Sequence, residues 1–178
     1  MERYHLSLND LSVLYKDVNI SKSIDLSHKL LNAQKSVSFS SIDSLKVNSN
    51  ISAFYLENGE YEKALYYNNI VLNARESQIP PDYDKIRISN SRAASIYCRL
   101  NNYEKAIYHS EKSRELALKL YGKESVEYAR SLQNTSVYYL DKGDVVQALE
   151  YTKKAYNNSF GDKYDLAHNL ATIYSKLN

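Results

Sequence analysis

The chain is poor in the residues that interrupt or staple a fold: one cysteine, two prolines and four glycines in 178 residues, with no tryptophan. A lone Cys98 excludes an internal disulfide framework, and with no Cys/His spacing of the zinc type a structural metal site is not expected either. So few prolines and glycines leave little for turns and exclude collagen-like and low-complexity classes, which favours helices. Charge of one sign is also lacking. Lys and Arg number 23 against 21 Asp and Glu, a net +2, and the basic residues are scattered, so no footprint for a nucleic-acid backbone is expected. No segment approaches the roughly 20 apolar residues of a membrane span. The N-terminal stretch is interrupted by Ser7, Asn9, Asp10 and Ser12, which argues against a signal peptide. These absences point to a cytoplasmic setting.

What is abundant is tyrosine, 18 against 3 Phe, and it recurs with a period. Tyr55, Gly59, Tyr61 and Ala64 return as Tyr97, Asn101, Tyr103 and Ala106, then as Tyr139, Gly143, Val145 and Ala148, each set displaced by 42 positions. The segments GEYEKALYY and NNYEKAIYH nearly coincide. A weaker copy places Ile20 and Ser23 where Tyr61 and Ala64 stand, and Leu170, Ala171 and Tyr174 begin a later one. Ile51, Ser52 and Tyr55 share one side of a helix, as do Ala64 and Asn68 or Val71 on the next segment, so each copy implies two helices. Gly59 and Gly143 lie between them, where positive φ ends the first helix, and Asn101 is the next best residue for that position. Ala64, Ala106 and Ala148 lack bulk where the second helix must approach the first, and the tyrosine three residues earlier fills the space beside the turn.

These residues resemble the tetratricopeptide repeat, which sets a small residue and Tyr on its first helix, Gly at the turn and aromatic-x-x-Ala on its second. A period of 42 exceeds the usual 34 by about two helical turns, or ~12 Å of rise. With YGKESVEYARSLQNTSVYY between copies, this is similar to the longer-helix class of kinesin light chains and bacterial regulatory proteins. The resemblance implies an all-α, right-handed α-solenoid of about four and a half helix-turn-helix repeats. They form a single array at approximately 4–38, 41–79, 82–121, 124–160 and 163–178. In the first, Asp17 and Val18 replace the turn glycine. Pro80-Pro81, Tyr121-Gly122 and Phe160-Gly161 end repeats rather than divide domains. Ser36 to Ser44 reads as an inter-repeat loop, with Ser40 or Ser41 capping the helix that follows. An array ending inside a first helix leaves part of an apolar side uncovered, so the chain is expected to belong to a longer protein.

No chemistry-bearing constellation appears. His5, His28, His109 and His168 fall in separate repeats without metal-ligand spacing, phosphate-loop and nucleophile-elbow patterns are absent, and Cys98 has no adjacent histidine. Cys98 reads as a small packing residue, and Glu62-Lys63 and Glu104-Lys105 as charged surface. No catalytic residue, cofactor or metal is expected. Tyr55, Tyr97, Tyr139 and Tyr174 occupy the inward position of successive first helices. Tyr66, Tyr67, Tyr108 and Tyr151 are open between packing and ligand stacking.

A functional surface is then sought on the side of each first helix opposite Ile51, Ser52 and Tyr55. The second repeat supplies Lys46, Ser49, Asn50, Ala53 and Glu57. The third supplies Ile88, Ser91, Arg92, Ser95 and Arg99, and the fourth Arg130, Gln133, Asn134, Val137 and Asp141. The last half-repeat adds Asp165, His168, Asn169, Thr172 and Lys176. Asn50, Arg92, Asn134 and Asn169 form a row offering donors and acceptors to an extended main chain. The resemblance implies that this side lines a concave groove and that Asn50, Asn134 and Asn169 match the asparagines that hold peptide backbone. The co-chaperone set that grips a C-terminal carboxylate is incomplete, since its first-repeat lysine and asparagine are Leu8 and Ser12 here. Five basic against three acidic residues favour an acidic peptide. The leading expectation is a non-enzymatic module that binds a peptide or protein segment in this groove. Alternatives are the regulatory part of a larger bacterial peptidase, kinase or transcription regulator, and a self-association module forming homo-oligomers.

Overall fold

A computed structural model describes residues 9–35, 41–158 and 164–177. Among them are nine helices and no strand: α1 (residues 9–14), α2 (Ile20–Lys35), α3 (Ser41–Glu57), α4 (Tyr61–Glu76), α5 (Tyr83–Arg99), α6 (Tyr103–Tyr121), α7 (Val126–Lys142), α8 (Val145–Asn158) and α9 (Tyr164–Leu177). Of the loop expected from Ser36 to Ser44, Ser41 to Ser44 instead open α3, while its other residues, the caps at Ser40 and Ser41 and the repeat end at Phe160-Gly161 lie outside the described residues or side chains, as do His5 and Leu8.

Each hairpin closes with local chemistry visible in the sequence. Gly59, Asn101 and Gly143 all adopt positive φ, at 78°, 57° and 90°, and Asn101 is the only described non-glycine residue to do so. The next N–H then reaches back to the tyrosine carbonyl: Glu60 to Tyr55 at 2.9 Å, Asn102 to Tyr97 at 2.8 Å and Asp144 to Tyr139 at 2.8 Å. This doubled return bond satisfies carbonyls the helix end would leave unpaired. The second helices α6 and α8 start on side-chain caps, Asn102 accepting from the Lys105 N–H at 3.2 Å and Asp144 from that of Gln147 at 3.1 Å, whereas Glu60 before α4 makes no such bond. Tyr103 sits beside the turn as expected, its hydroxyl donating to Asn101 Oδ1 at 3.0 Å.

The chain divides into two compact units, Met1–Ile79 and Pro80–Asn178. In the first, α3 packs on both α2 and α4. In the second, α5 to α9 pack each on the next, and α5 also touches α7 directly. Ala64, Ala106 and Ala148 are all fully buried. Next to two of them a buried hydroxyl completes the close approach, Ser52 Oγ donating to the Ala64 carbonyl at 2.9 Å and Ser136 Oγ to that of Ala148 at 2.8 Å.

Two features depart from the expected register. Tyr174 is 46% exposed rather than inward. Its ring lies under the Lys153 ammonium, 6.0 Å from the centroid. The first helix is also inverted: α1 buries Asn9 and Ser12 while Leu14 and, in the following turn, Val18 face solvent.

Candidate interaction surface

The face opposite the core is at the surface throughout. In the first unit Lys46 is exposed, and Ser49, Asn50 and Ala53 are partly exposed. Asn50 is engaged within the unit: its Nδ2 donates to Oδ1 of buried Asn9 at 3.1 Å. Glu57 is likewise bound, its carboxylate 2.9 Å from the Lys16 ammonium. In the second unit Arg99 and Arg130 are exposed, while Arg92, Gln133 and Asn134 are partly so. Ser95 is partly buried, and its hydroxyl lies 3.0 Å from the Tyr138 hydroxyl and donates to the Ser91 carbonyl at 3.3 Å. On α9, Asn169 is partly exposed, and the side chains of Asp165, His168 and Lys176 are outside those described.

Residues such as Asn9 and Tyr138 were not singled out by the one-helix reading. They join successive first helices at a spacing near the repeat: Asn9 to Asn50, Ser95 to Tyr138 and Cys98 to Asp141. A search for polar pairs about one period apart is the signal that finds them. Tyr138 is 6% exposed, and burial holds its phenol above the usual range, so it serves as a neutral partner for Ser95.

Cys98 is a second bridge on this face. Its thiol donates to Asp141 Oδ2 at 3.2 Å. Burial first, then the Asp141 carboxylate, push it up to about 12, so it stays protonated and is no nucleophile at neutral pH. Asp141 thus accepts a hydrogen bond from α5, while α5 and α7 present Arg92, Arg99 and Arg130.

The tyrosines settle into packing. Tyr55 stacks on Tyr67 at 5.7 Å, Tyr97 on His109 at 5.4 Å and Tyr139 on Tyr151 at 5.3 Å, each partner arriving from the following helix. Tyr66 and Tyr108 are exposed and meet Tyr67 and His109 edge-on. His109 Nδ1 donates to Oδ1 of buried Asn90 at 2.9 Å, an orientation fixed because Asn90 Nδ2 already donates to the Ile86 carbonyl. His28 Nε2 lies 2.9 Å from the Tyr55 hydroxyl. Burial lowers the pKa of both histidines, with Lys112 and Lys105 adding to the effect at His109. Among the described residues no His/Cys/Asp/Glu group could hold a metal, and no helix is long and apolar enough to cross a membrane.

Comparison with known proteins agrees with this architecture. Residues 85–159 match the tetratricopeptide repeat family model. No curated protein matches the chain. Among solved structures, BtubC (BKLC) from P. vanneervenii is 21% identical with a TM-score of 0.80, the match covering 96% of this chain and 71% of that one. The putative kinesin light chain repeats of Podosopora anserina are 16% identical with a TM-score of 0.80, covering 95% and 84%. The apo form of RapI is 13% identical with a TM-score of 0.85, covering 98% and 64%. At such identities the likeness is one of fold alone. The tetratricopeptide repeat's sequence pattern is thus matched over residues 85–159, and the fold of solved repeat structures of this kind is shared along nearly the whole chain.

Proposed function

We propose that the protein is a non-catalytic interaction module whose second unit binds an extended, acidic peptide segment on the paired faces of α5 and α7. Tetratricopeptide repeats are typical protein-interaction modules, which supports the general class. The observation that carries the finer reading is the charge of this face: Arg99 and Arg130 are exposed and Arg92 is partly so, while the carboxylate of Asp141 accepts the Cys98 thiol. Arg92 and Arg99 are seven residues apart on α5, so they share a side about two turns, or ~10 Å, apart. That span falls between carboxylates two and four residues apart, the spacings that share one side of an extended chain advancing ~3.3 Å per residue, and the long arginine side chains take up the difference. Gln133 and Asn134 on α7 supply donors and acceptors for main chain. Charge attraction of this kind contributes mainly orientation and association rate.

The test is a peptide array in which extended acidic, neutral and basic peptides are probed with the purified chain. Acidic peptides are expected to dominate. Arg99→Glu with Arg130→Glu should reverse the preference while leaving the melting temperature nearly unchanged, because both side chains are exposed. Equal capture of the three peptide classes by the wild-type chain would overturn the reading.

A further inference from the structure

Comparing the repeats with one another exposes a cation-binding arrangement that is complete in one, lacks its acid in the next and lacks its cation in the fourth. In the second repeat the Lys63 ammonium is held twice, 2.5 Å from Glu60 Oε2 and 5.2 Å from the centroid of the Tyr55 ring over which it stands. In the third, Lys105 stands over Tyr97 at the same 5.2 Å, with Asn102 at the place of Glu60. Each lysine follows its tyrosine by eight residues and precedes by one helical turn the aromatic stacked on that tyrosine.

The fourth repeat keeps the ring and the acid. Tyr139 is stacked on Tyr151 as its counterparts are, and Asp144 takes the position of Glu60. Asp144 is fixed against the tyrosine, its N–H donating to the Tyr139 carbonyl at 2.8 Å and its Oδ1 accepting from the Gln147 N–H at 3.1 Å. The lysine, however, is replaced by Gln147. An amide carries no net charge, so neither the ring quadrupole nor the carboxylate receives the cation that both attract in the second repeat. Among the described residues no ammonium or guanidinium stands over Tyr139, and none pairs with Asp144.

The neighbouring charges do not fill the place. Lys142 reaches Glu104 on α6 at 3.2 Å, Glu150 is paired with Lys154 at 2.6 Å and Glu111 with Arg114 at 2.6 Å. Lys142, Lys154 and Arg114 are thus held by Glu104, Glu150 and Glu111 respectively, which leaves Asp144, among the described residues, as the acid beside Tyr139 with no cation of its own. The balance is negative.

We propose that the turn between α7 and α8 is a docking site for a lysine side chain of a partner polypeptide, its ammonium taken between the Tyr139 ring and the Asp144 carboxylate. The ligand is of the lysine type because the chain's own two examples are lysines. The site lies at the turn and is independent of the arginine-bearing face of α5 and α7, so the two readings stand or fall separately.

The experiment is an amide-resolved NMR titration of the full chain with Nα-acetyl-lysine methylamide, and with the uncharged norleucine analogue as control. Saturable shifts are expected at the turn around Tyr139 to Gln147, and not at those around Tyr55 and Tyr97, where Lys63 and Lys105 already occupy the place. Gln147→Lys should abolish the response and raise the melting temperature by supplying the missing cation internally. Asp144→Asn keeps an N-cap acceptor but removes the charge, and should weaken binding about threefold. No selective shift in the wild-type chain would overturn the proposal, as would the same response to the norleucine probe or in Gln147→Lys.

Discussion

At the scale of the residue, the most informative position is His109. It occupies the place that Tyr67 and Tyr151 hold in the neighbouring repeats, keeps their stacking on the first-helix tyrosine and adds a bond to buried Asn90. Burial, reinforced by Lys112 and Lys105, lowers its pKa from the ordinary 6.5. A histidine whose folded pKa lies below its unfolded value binds fewer protons folded than unfolded in the interval between them. Its contribution is therefore complete above 6.5 and is lost as pH falls into that interval. The melting temperature is expected to drop on acidification, and His109→Tyr, which restores the residue type of the other repeats, should shrink the drop. His28, lowered by the same cause, accounts for a remainder. Identical pH profiles for the variant and wild type would show that His109 does not titrate in this range. Asn101 was legible before any coordinates, because it falls at the turn position of a period whose other members are glycine. The partner of His109 was not, since the residue that meets Asn90 depends on how two helices are rotated against each other.

At the scale of the element, the close approach of paired helices rests on alanines with no exposed surface. Ala106 packs with Ala94 and Tyr138, so it lies where α5, α6 and α7 converge. A carboxylate there has no cation to pair with, and Ala106→Glu is expected to destabilise by roughly 3 kcal/mol or more. Chemical denaturation checks this, and a wild-type midpoint would refute the packing. The hairpins were readable because Tyr, turn residue and Ala recur at fixed offsets within one pair of helices. The candidate face was readable only in part. Helical geometry placed Arg99 and Arg130 at the surface, yet it could not reveal that Ser95 leans on Tyr138 or that Asn50 is held by Asn9, because those contacts join helices of different repeats. The inversion of α1 was hidden for a related reason: its polar residues are buried by a partner across the period, against the usual sense of apolar patterning.

For the whole molecule, the period does not say where one cooperative unit stops. The step from Tyr55 to Tyr97 is the same 42 residues as the step from Tyr97 to Tyr139, although only the first crosses the boundary between Ile79 and Pro80. What differs is local. Ile79 is 97% exposed, and the two prolines after it offer no N–H to carry a helix onward. Beyond them the second unit has cores of its own, one of Ala117, Tyr128, Leu132 and Ala155 and another of Ala94, Ala106 and Tyr138. Because repeat stability is close to a sum of units and nearest-neighbour interfaces, a fragment holding several complete interfaces is expected to fold without the rest. Pro80–Asn178 expressed alone should therefore be helical, melt cooperatively and retain the ring-current shifts of the Tyr97–His109 and Tyr139–Tyr151 stacks. A fragment that is helical but without those shifts would place the determinants of its packing in residues before Pro80, and one that is unfolded would show that the array is stable only as a whole.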